Sequence, residues 1–313
     1  MSFRVFLKLA EIQTKIASVF PFLIGVLFVT YRYQSFDWRN TLIFFVALLL
    51  FDLTTTVINN YMDYKKASSE QYRREHNIIR QESIPLPLVR LTIMTMLIIS
   101  TGLGIWLVYR TDLLVLFIGM LSFAIGIFYT FGPIPLSRMP LGEVFSGVTM
   151  GFGIIFLTIY INAYTEGIAN LSFGAGIAQL NVNLLLLLEI ALVSLPSVLT
   201  ISNLMLANNI CDLEEDIKNH RFTLPYYIGK KNAVYLFNLL YILVILSIIV
   251  AVALDIYPVV LLGIVLIIFP LFKNIKAFNK EQIKHKTFSV AVKNLVLING
   301  AIVVLLSIAL LWM

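Results

Sequence analysis

The composition of this 313-residue chain excludes a water-soluble globular protein. Hydrophobic residues make up 59% of the chain and charged residues 13%, about half of the charged share typical of soluble domains, and a soluble fold could not bury so much apolar surface. The net charge of +6 does not indicate a nucleic-acid partner, because the basic residues lie between apolar runs. The chain is therefore predicted to be a polytopic membrane protein that binds no nucleic acid.

Nine apolar runs are long enough to cross a membrane, for which a helix needs about 20 residues. Three of them carry no charge at all over residues 91–109, 232–254 and 294–313. Asp52 in the second run and Glu189 in the sixth indicate helices that face protein or a wet cavity. The predicted fold is an all-α bundle of nine transmembrane helices. The predicted spans are 15–32, 41–62, 90–109, 114–132, 143–163, 183–210, 232–254, 256–272 and 292–312.

The basic residues between the spans predict the orientation. With the N-terminus inside, 20 of the 23 Lys and Arg residues, Lys15 among them, fall on the cytoplasmic side, and Arg32, Arg39 and Arg110 fall outside. Since cytoplasmic loops are enriched in Lys and Arg, we expect a multi-pass protein of the cell membrane with its N-terminus in and its C-terminus out. The lysines from Lys273 to Lys293 are interpreted only as part of this topology signal.

Two further patterns predict local structure. Gly147 and Gly151 form a GxxxG pair in the fifth span, which is typical of close helix packing. The outer loop 164–182 is long and nearly free of charge, as in a segment that lies at the membrane interface.

Two helix ends on the cytoplasmic side repeat one pattern. Asn59 and Asp63 end the second span in VINNYMDYKKASSE, and Asn208, Asp212 and Asp216 end the sixth in ANNICDLEEDIKNHRFTLP. Residues four apart lie on one helix face, so each end presents a column of oxygen atoms. Asp212 follows Asp63 by 149 residues, or four spans. This offset predicts a single domain over 1–313 in which helices 1–4 are repeated as helices 5–8 and helix 9 is added.

Oxygen ligands of this kind favour a hard cation such as Mg2+, with Mn2+ as a substitute. Zinc is disfavoured because His76, His220 and His285 are scattered and Cys211 is the only cysteine. Mg2+ usually takes one or two carboxylates together with phosphate oxygens of a substrate. The pattern predicts a metal–diphosphate site, and a membrane bundle around it favours a polyprenyl diphosphate. Basic residues near the motifs are Lys65, Lys66, Arg73, Arg74, Arg80, Lys218 and Arg221.

Other interpretations of these residues stay open. One acidic cluster in a cytoplasmic loop is usually solvated charge, although two equivalent clusters argue against that interpretation. The enrichment of Lys and Arg in cytoplasmic loops alone accounts for most of the basic residues. Asp52 lies three turns before Asp63 on the same face and either lines the same cavity or pairs with a neighbouring helix. A secondary transporter also uses acidic residues and repeats, but its binding residues gather near the midplane of the membrane.

The motifs resemble those of the UbiA superfamily of intramembrane prenyltransferases. NNICDLEEDIKNHRFTLPYYIG, residues 208–229, is similar to the family's Asn-Asn-x-x-Asp-x-x-x-Asp followed by a basic residue, Thr-Leu and Gly. FYTFGPIPLSRMPLGEVFSG, residues 128–147, is similar to the Tyr-Thr-x-Gly-Pro and Leu-Gly-Glu stretch of the branch that prenylates 1,4-dihydroxy-2-naphthoate. The first span resembles the family at Thr14, Ala17 and Ser18 but lacks the Arg-Pro-Lys usually found before that Thr.

The resemblance implies a Mg2+-dependent transfer of a polyprenyl group from polyprenyl diphosphate to 1,4-dihydroxy-2-naphthoate, with decarboxylation to a demethylmenaquinone. The alternatives are the same chemistry on another aromatic or lipid acceptor. Tyr129 is a candidate to shape the cation pocket or, equally, an interfacial aromatic residue, and Arg138 is a candidate to bind the acceptor carboxylate. The implied catalytic residues are Asp63, Asp212, Asp216 and Tyr129. The implied metal ligands are Asn59, Asp63, Asn208, Asp212 and Asp216. The implied substrate-binding residues are Asn60, Tyr61, Lys65, Arg74, Arg138, Asn209, Lys218 and Arg221.

The first motif departs from the family pattern after Asp63. Ala67 and Ser69 stand where the naphthoate branch has Gly and a second Asp. Either Glu70 or Glu75 replaces the missing carboxylate, or the first motif holds its metal with fewer ligands, or the chain is a divergent paralogue.

Overall fold

The computed structural model describes residues 1–66, 77–130, 136–174 and 176–313, and of residues 66, 129, 130 and 137 it describes the backbone only. Within these ranges the chain is helical apart from one two-stranded hairpin. The α-helices are α1 Phe3–Leu9, α2 Ile16–Tyr33, α3 Trp38–Lys66, α4 Ile78–Gln81, α5 Leu86–Arg110, α6 Leu113–Thr130, α7 Gly142–Ser146, α8 Ile154–Ala163, α9 Leu184–Cys211, α10 Leu213–Lys218, α11 Leu224–Ile228, α12 Lys230–Ala253, α13 Ile268–Lys280 and α14 Phe288–Leu311. The strands are β1 Ala169–Gly174 and β2 Ile177–Val182, a π-helix covers Gly147–Gly153, and 3₁₀ helices cover Ile12–Lys15, Leu136–Arg138, Tyr164–Glu166 and Val259–Ile267.

Eight helical segments of the described chain are long and apolar enough to cross a membrane. They match eight of the nine predicted spans in order. The remaining prediction, 114–132, falls on α6, whose apolar part Leu113–Phe128 is shorter than the other eight segments. The eight segments are Ile12–Tyr33, Trp38–Lys65, Leu86–Arg110, Gly142–Glu166, Leu184–Cys211, Lys230–Ala253, Val259–Lys280 and Phe288–Leu311.

The chain divides into two compact units, Met1–Ser18 with Trp38–Ile134, and Val19–Asp37 with Pro135–Met313. In the first unit, α3 packs along α5, and α1 and α4 pack against the end of α3. Leu9, Val57 and Val89 are buried together in the resulting apolar cluster. Burial of these side chains stabilises the end of α3 that carries the first motif.

Asp52 is part of a buried ion pair in this unit. Lys15 Nζ donates to Asp52 Oδ1 at 2.7 Å and to Thr56 Oγ1 at 2.6 Å, and Ser18 Oγ donates to Asp52 Oδ2 at 2.6 Å. Of the two roles left open for Asp52, the structure therefore supports pairing with a neighbouring helix. Lys15 is 4% exposed, so it is a buried side chain and not a solvated loop charge. A buried pair of this kind is costly to break, because removal of one partner leaves the other charge uncompensated.

In the second unit, α9 packs against α12, α14 and the π-helix. A Cβ atom added at Gly147 would lie 2.0 Å from Ser202 Oγ, and one added at Gly151 would lie 2.5 Å from Val198 Cα. Both distances are far below van der Waals contact, so any larger residue would push the two helices apart. This close approach confirms the predicted role of the GxxxG pair.

The loop 164–182 contains an antiparallel hairpin of β1 and β2, paired from Ala169↔Val182 to Gly174↔Ile177. Several of its apolar side chains, including Phe173, are exposed, and the hairpin leads into α9. Near the start of α9, Glu189 Oε1 accepts a hydrogen bond from Arg32 Nε at 2.6 Å. The second acidic residue inside a predicted span is therefore also paired with a basic side chain.

Candidate functional site

The second motif lies where α9 ends. Cys211 is the last residue of α9, and Asp212, with φ −95° and ψ 3°, separates α9 from α10. Backbone hydrogen bonds nevertheless continue across the break, from Asp212 N to Asn208 O at 3.0 Å and from Asp216 N to Asp212 O at 2.8 Å. The four-residue spacing thus keeps Asn208, Asp212 and Asp216 one turn apart as predicted, although Asp216 belongs to a separate short helix.

Asp216 is the buried carboxylate of this motif, and its side chain is 5% exposed. Its Oδ1 atom lies 3.4 Å from Arg221 Nη1, while its Oδ2 atom is buried and accepts no hydrogen bond from the residues that the structure describes. Burial raises the pKa of the Asp216 carboxyl, and the Arg221 guanidinium opposes that shift because it favours the charged form. A buried carboxylate oxygen without a donor is a suitable ligand for a cation.

The chain returns to Asp216 through a tight turn. The backbone N–H of Arg221 donates to Asp216 O at 2.8 Å, which brings the guanidinium next to the carboxylate. The following residue, Phe222, donates its N–H to Arg138 O at 3.2 Å. A backbone hydrogen bond therefore joins the segment of Arg138 to the segment of Arg221 beside the second motif. Both residues are predicted to bind substrate.

A cationic side chain contacts the other two predicted oxygen ligands of this motif. Lys284 Nζ donates to both Asn208 Oδ1 and Asp212 Oδ2. Lys284 lies in the turn between α13 and α14, and its side chain is 44% exposed. Two oxygens that the motif predicts as metal ligands are thus arranged around one positive charge.

Asn209 is oriented by a carboxylate from α7. Its Nδ2 atom donates to Glu143 Oε1 at 2.8 Å, and Glu143 O accepts a hydrogen bond from Ser202 Oγ at 2.9 Å. Asn209 and Glu143 are 2% and 4% exposed. Asn209 Oδ1 and Glu143 Oε2 are buried and accept no hydrogen bond from any described residue. The close packing of the GxxxG segment on α9 therefore also positions the second Asn of the motif.

The first motif lies at the end of α3, which runs without a break to Lys66. Asn59 is half-buried and Asp63 is exposed, one turn apart on the same helix. Lys65 Nζ lies 4.9 Å from the centre of the Tyr61 ring, and Tyr61 packs against the apolar cluster of the first unit. The predicted helical column is therefore present in this motif.

Asn60 has a contact that the sequence did not suggest. Its Nδ2 atom donates to Leu9 O at 3.0 Å and to Glu11 Oε1 at 3.1 Å, and its backbone carbonyl oxygen accepts a hydrogen bond from Asn77 Nδ2 at 2.9 Å. Asn60 thus ties the N-terminal segment and the residues before α4 to the first motif. In the described structure Asn60 has this positioning role, and its contact with the substrate stays a prediction.

The remaining predicted residues are either exposed or outside the described part of the chain. Lys218 is exposed on α10, as is Arg138 on its 3₁₀ helix. Outside the described residues or side chains lie Lys66, Ala67, Ser69, Glu70, Arg73, Arg74, Glu75 and Tyr129.

The donor set of the second motif fits Mg2+ in part. Among the described residues, no group of three or more His, Cys, Asp or Glu side chains forms a site that could hold a metal ion. Asn208 Oδ1, Asp212 Oδ2 and the donor-free Asp216 Oδ2 are nevertheless hard oxygen atoms, two of which already accept from an ammonium group. Such a set suits a Mg2+ ion that takes its remaining ligands from a substrate phosphate.

Sequence reasoning missed two residues of this site. Lys284 was interpreted only as a topology signal, and the structure corrects that, because its ammonium contacts the motif. Glu143 appeared in the Leu-Gly-Glu resemblance without a role. Neither residue has a spacing that relates it to the motif. The available signal was the predicted location on the same side of the membrane for Lys284 and the family stretch for Glu143.

Comparison with known proteins identifies the family to which the sequence is similar. Residues 18–298 match the UbiA prenyltransferase family. The 1,4-dihydroxy-2-naphthoate octaprenyltransferase of Bacillus subtilis (strain 168) is 28% identical over 229 residues, which cover 72% of this chain and 67% of that protein.

Solved structures show the same fold. A UbiA homolog from Aeropyrum pernix K1 has a TM-score of 0.69 at 14% identity, and the match covers 93% of this chain and 98% of that one. A UbiA homolog from Archaeoglobus fulgidus bound to DMAPP and Mg2+ has a TM-score of 0.62 at 10% identity, with 96% and 99% covered. Because the family match covers most of the chain and eight apolar helices can span a membrane, the protein is a multi-pass membrane prenyltransferase that belongs to the UbiA prenyltransferase family.

Proposed function

We propose that the protein transfers a polyprenyl group from a polyprenyl diphosphate to 1,4-dihydroxy-2-naphthoate. Diphosphate and CO2 leave, and the product is a prenylated naphthoquinol, the reduced form of a demethylmenaquinone. The name of the Bacillus subtilis relative supports this acceptor. The stretch over residues 128–143 supports it as well, because it is similar to the naphthoate branch of the family. This activity belongs to menaquinone biosynthesis.

The observation that carries the proposal is the second motif. Asn208 Oδ1 and Asp212 Oδ2 accept hydrogen bonds from one ammonium group, and Asp216 Oδ2 is buried without a donor among the described residues. We assign Mg2+ to these atoms, with Mn2+ as a substitute, and from the motif pattern we also assign Asn59 and Asp63 of the first motif as metal ligands. The Archaeoglobus fulgidus homologs bound to DMAPP or GPP with Mg2+ support this assignment.

When bound, Mg2+ withdraws negative charge from the diphosphate and so makes it a better leaving group. The basic side chains share this task through charge-assisted hydrogen bonds to the phosphate oxygens. Arg221 is well placed for it, since its guanidinium lies 3.4 Å from Asp216. The other residues to which we assign substrate contacts are Asn60, Tyr61, Lys65, Arg74, Asn209 and Lys218.

The acceptor ring reacts by electrophilic aromatic substitution. The allylic carbon–oxygen bond of the prenyl diphosphate breaks, a ring carbon forms the new carbon–carbon bond, and the ring regains aromaticity as CO2 leaves. We assign Arg138 to the acceptor carboxylate and Tyr129 to the wall of the cation pocket. Exclusion of bulk water from the cation is the task of the apolar bundle.

We further propose nine transmembrane helices in one domain over residues 1–313, with helices 1–4 repeated as helices 5–8 and helix 9 added. The N-terminus lies inside and the C-terminus outside. Both motifs then face the cytoplasm, where the water-soluble naphthoate and the diphosphate head group meet. The uneven distribution of Lys and Arg supports this orientation.

The test is prenyl transfer by the purified protein with Mg2+ and a radiolabelled prenyl diphosphate. 1,4-Dihydroxy-2-naphthoate, 4-hydroxybenzoate and homogentisate are offered in turn, and the products are identified by mass spectrometry. We expect a prenylated, decarboxylated naphthoquinol from the first acceptor alone, and no product from the Asp212→Asn variant. Transfer to another acceptor only would show that the proposed acceptor is wrong, and a folded protein that transfers to none would refute the proposed activity.

A further inference from the structure

Lys284 reaches the second motif from a distant part of the chain. It lies 76 residues after Asn208 and 72 residues after Asp212, and its Nζ atom donates to both. The same atom lies 4.9 Å from the centre of the Phe288 ring, which adds a cation–π contact at the base of α14. The ammonium group is therefore held by three partners, two of which are oxygens that we assign to the metal.

Lys284 and a metal ion compete for these oxygens. A lysine ammonium has three donors and no acceptor, so it cannot serve as a ligand beside Mg2+. Two cations at the same pair of oxygens would also repel each other strongly. A metal ion that binds Asn208 and Asp212 must therefore displace Lys284.

The displaced side chain has room to move. Lys284 lies in a turn and is 44% exposed, whereas Asp212 is 22% exposed and Asp216 is 5% exposed. Its four-carbon stem is flexible. Rotation of the stem can therefore move the charge off the ligands while the turn keeps it beside the metal.

We propose that Lys284 occupies the cation position of the second motif until Mg2+ displaces it, and that the released ammonium then binds the diphosphate of the substrate. This inference rests on the proposed function and adds a diphosphate-binding residue and a binding order to it. Metal alone competes with Lys284, whereas metal with diphosphate offers the released lysine a new anionic partner. The site thus favours the metal–diphosphate pair over the bare metal ion.

The proposal is tested with the full-length protein in detergent by two binding measurements. Mn2+ alone is titrated by electron paramagnetic resonance, and preformed Mg2+–pyrophosphate is titrated by calorimetry. Lys284→Met removes the charge but keeps the length of the stem. Lys286→Met is the matched control, because Lys286 lies in the same turn and pairs with Glu281 at 3.4 Å.

Lys284→Met should bind Mn2+ alone roughly three- to tenfold more tightly, since the metal no longer displaces two charge-assisted hydrogen bonds. The same variant should bind Mg2+–pyrophosphate about tenfold more weakly, since one charged contact to the phosphates is lost. Lys286→Met should match the wild type in both measurements.

Unchanged Mn2+ affinity in Lys284→Met, or unchanged pyrophosphate affinity, would overturn the inference while the proposed function stands. A wild-type protein that binds neither Mn2+ nor Mg2+–pyrophosphate would overturn both. The two failures are therefore distinguishable.

Discussion

Replacement of Asp216 by Asn tests the role of the buried carboxylate. The substitution keeps the shape of the side chain and removes its negative charge. In the structure this charge has a partner on one oxygen only, Arg221 at 3.4 Å, while the buried Oδ2 atom has no donor among the described residues. The variant should fold normally, because the lost ion pair has a partly exposed partner and the cost of burying a charge is removed as well.

The expected loss of activity for Asp216→Asn is large. A charged metal ligand supplies several kcal/mol of charge stabilisation in a transition state, and each 1.36 kcal/mol corresponds to about a tenfold change in rate. We therefore expect prenyl transfer to fall by about a hundredfold or more, which corresponds to about 2.7 kcal/mol.

The assay measures prenyl transfer across a Mg2+ titration, which separates weaker metal binding from slower chemistry. Glu214→Gln is the control, because Glu214 lies on the same short helix but is exposed, and it should retain most of the activity. If Asp216→Asn is as active as Glu214→Gln, the buried oxygen is not a metal ligand. The sequence also allows Glu70→Gln or Glu75→Gln to be compared, and equal damage there would mean that a displaced carboxylate completes the first motif.

Three further predictions concern residues in and around the motifs. Gly151→Ala should destabilise the protein by about 1–3 kcal/mol by overpacking, because its Cβ would lie 2.5 Å from α9. Gly153→Ala, whose Cβ would lie 3.7 Å from its nearest neighbour, should leave the melting temperature unchanged or higher. Equal shifts for the two variants would contradict the close packing. Glu143→Gln should keep most of the activity, since the amide oxygen still accepts a hydrogen bond from Asn209. Glu143→Ala removes that acceptor and should lower the activity about tenfold. If both variants are inactive, the carboxylate itself is required. Asp63→Asn should nearly abolish turnover without loss of expression, and a wild-type rate would remove the first motif from the site.

The membrane-spanning helices could be predicted from apolar runs, but their ends could not. The second span was placed at 41–62, whereas α3 continues to Lys66. Backbone hydrogen bonding carries a helix beyond its apolar part, so the apolar window underestimates the length. The hairpin was missed for a different reason. ANLSFG and IAQLNV flank a turn that includes Gly176, with φ 79°, and this strand signal was hidden within a loop identified only by its lack of charge.

The columns of the site could be predicted, but the contacts around them could not. The spacing of four residues relates Asn208, Asp212 and Asp216 through local helix geometry. Lys284 and Glu143 reach the motif through tertiary packing of elements that are distant in the chain, for which a single sequence has no periodic signal. The same is true of the Lys15–Asp52 pair, because nothing in the sequence distinguishes a buried lysine from a topology signal in a loop.

Removal of the metal tests the central claim most directly. Purified protein is treated with EDTA, and transfer of a radiolabelled prenyl group to 1,4-dihydroxy-2-naphthoate is measured before and after Mg2+ or Mn2+ is added back. We expect transfer to vanish with EDTA and to return with either ion, because all the proposed ligands are oxygen atoms. Full transfer in the presence of EDTA would contradict the proposed metal–diphosphate chemistry.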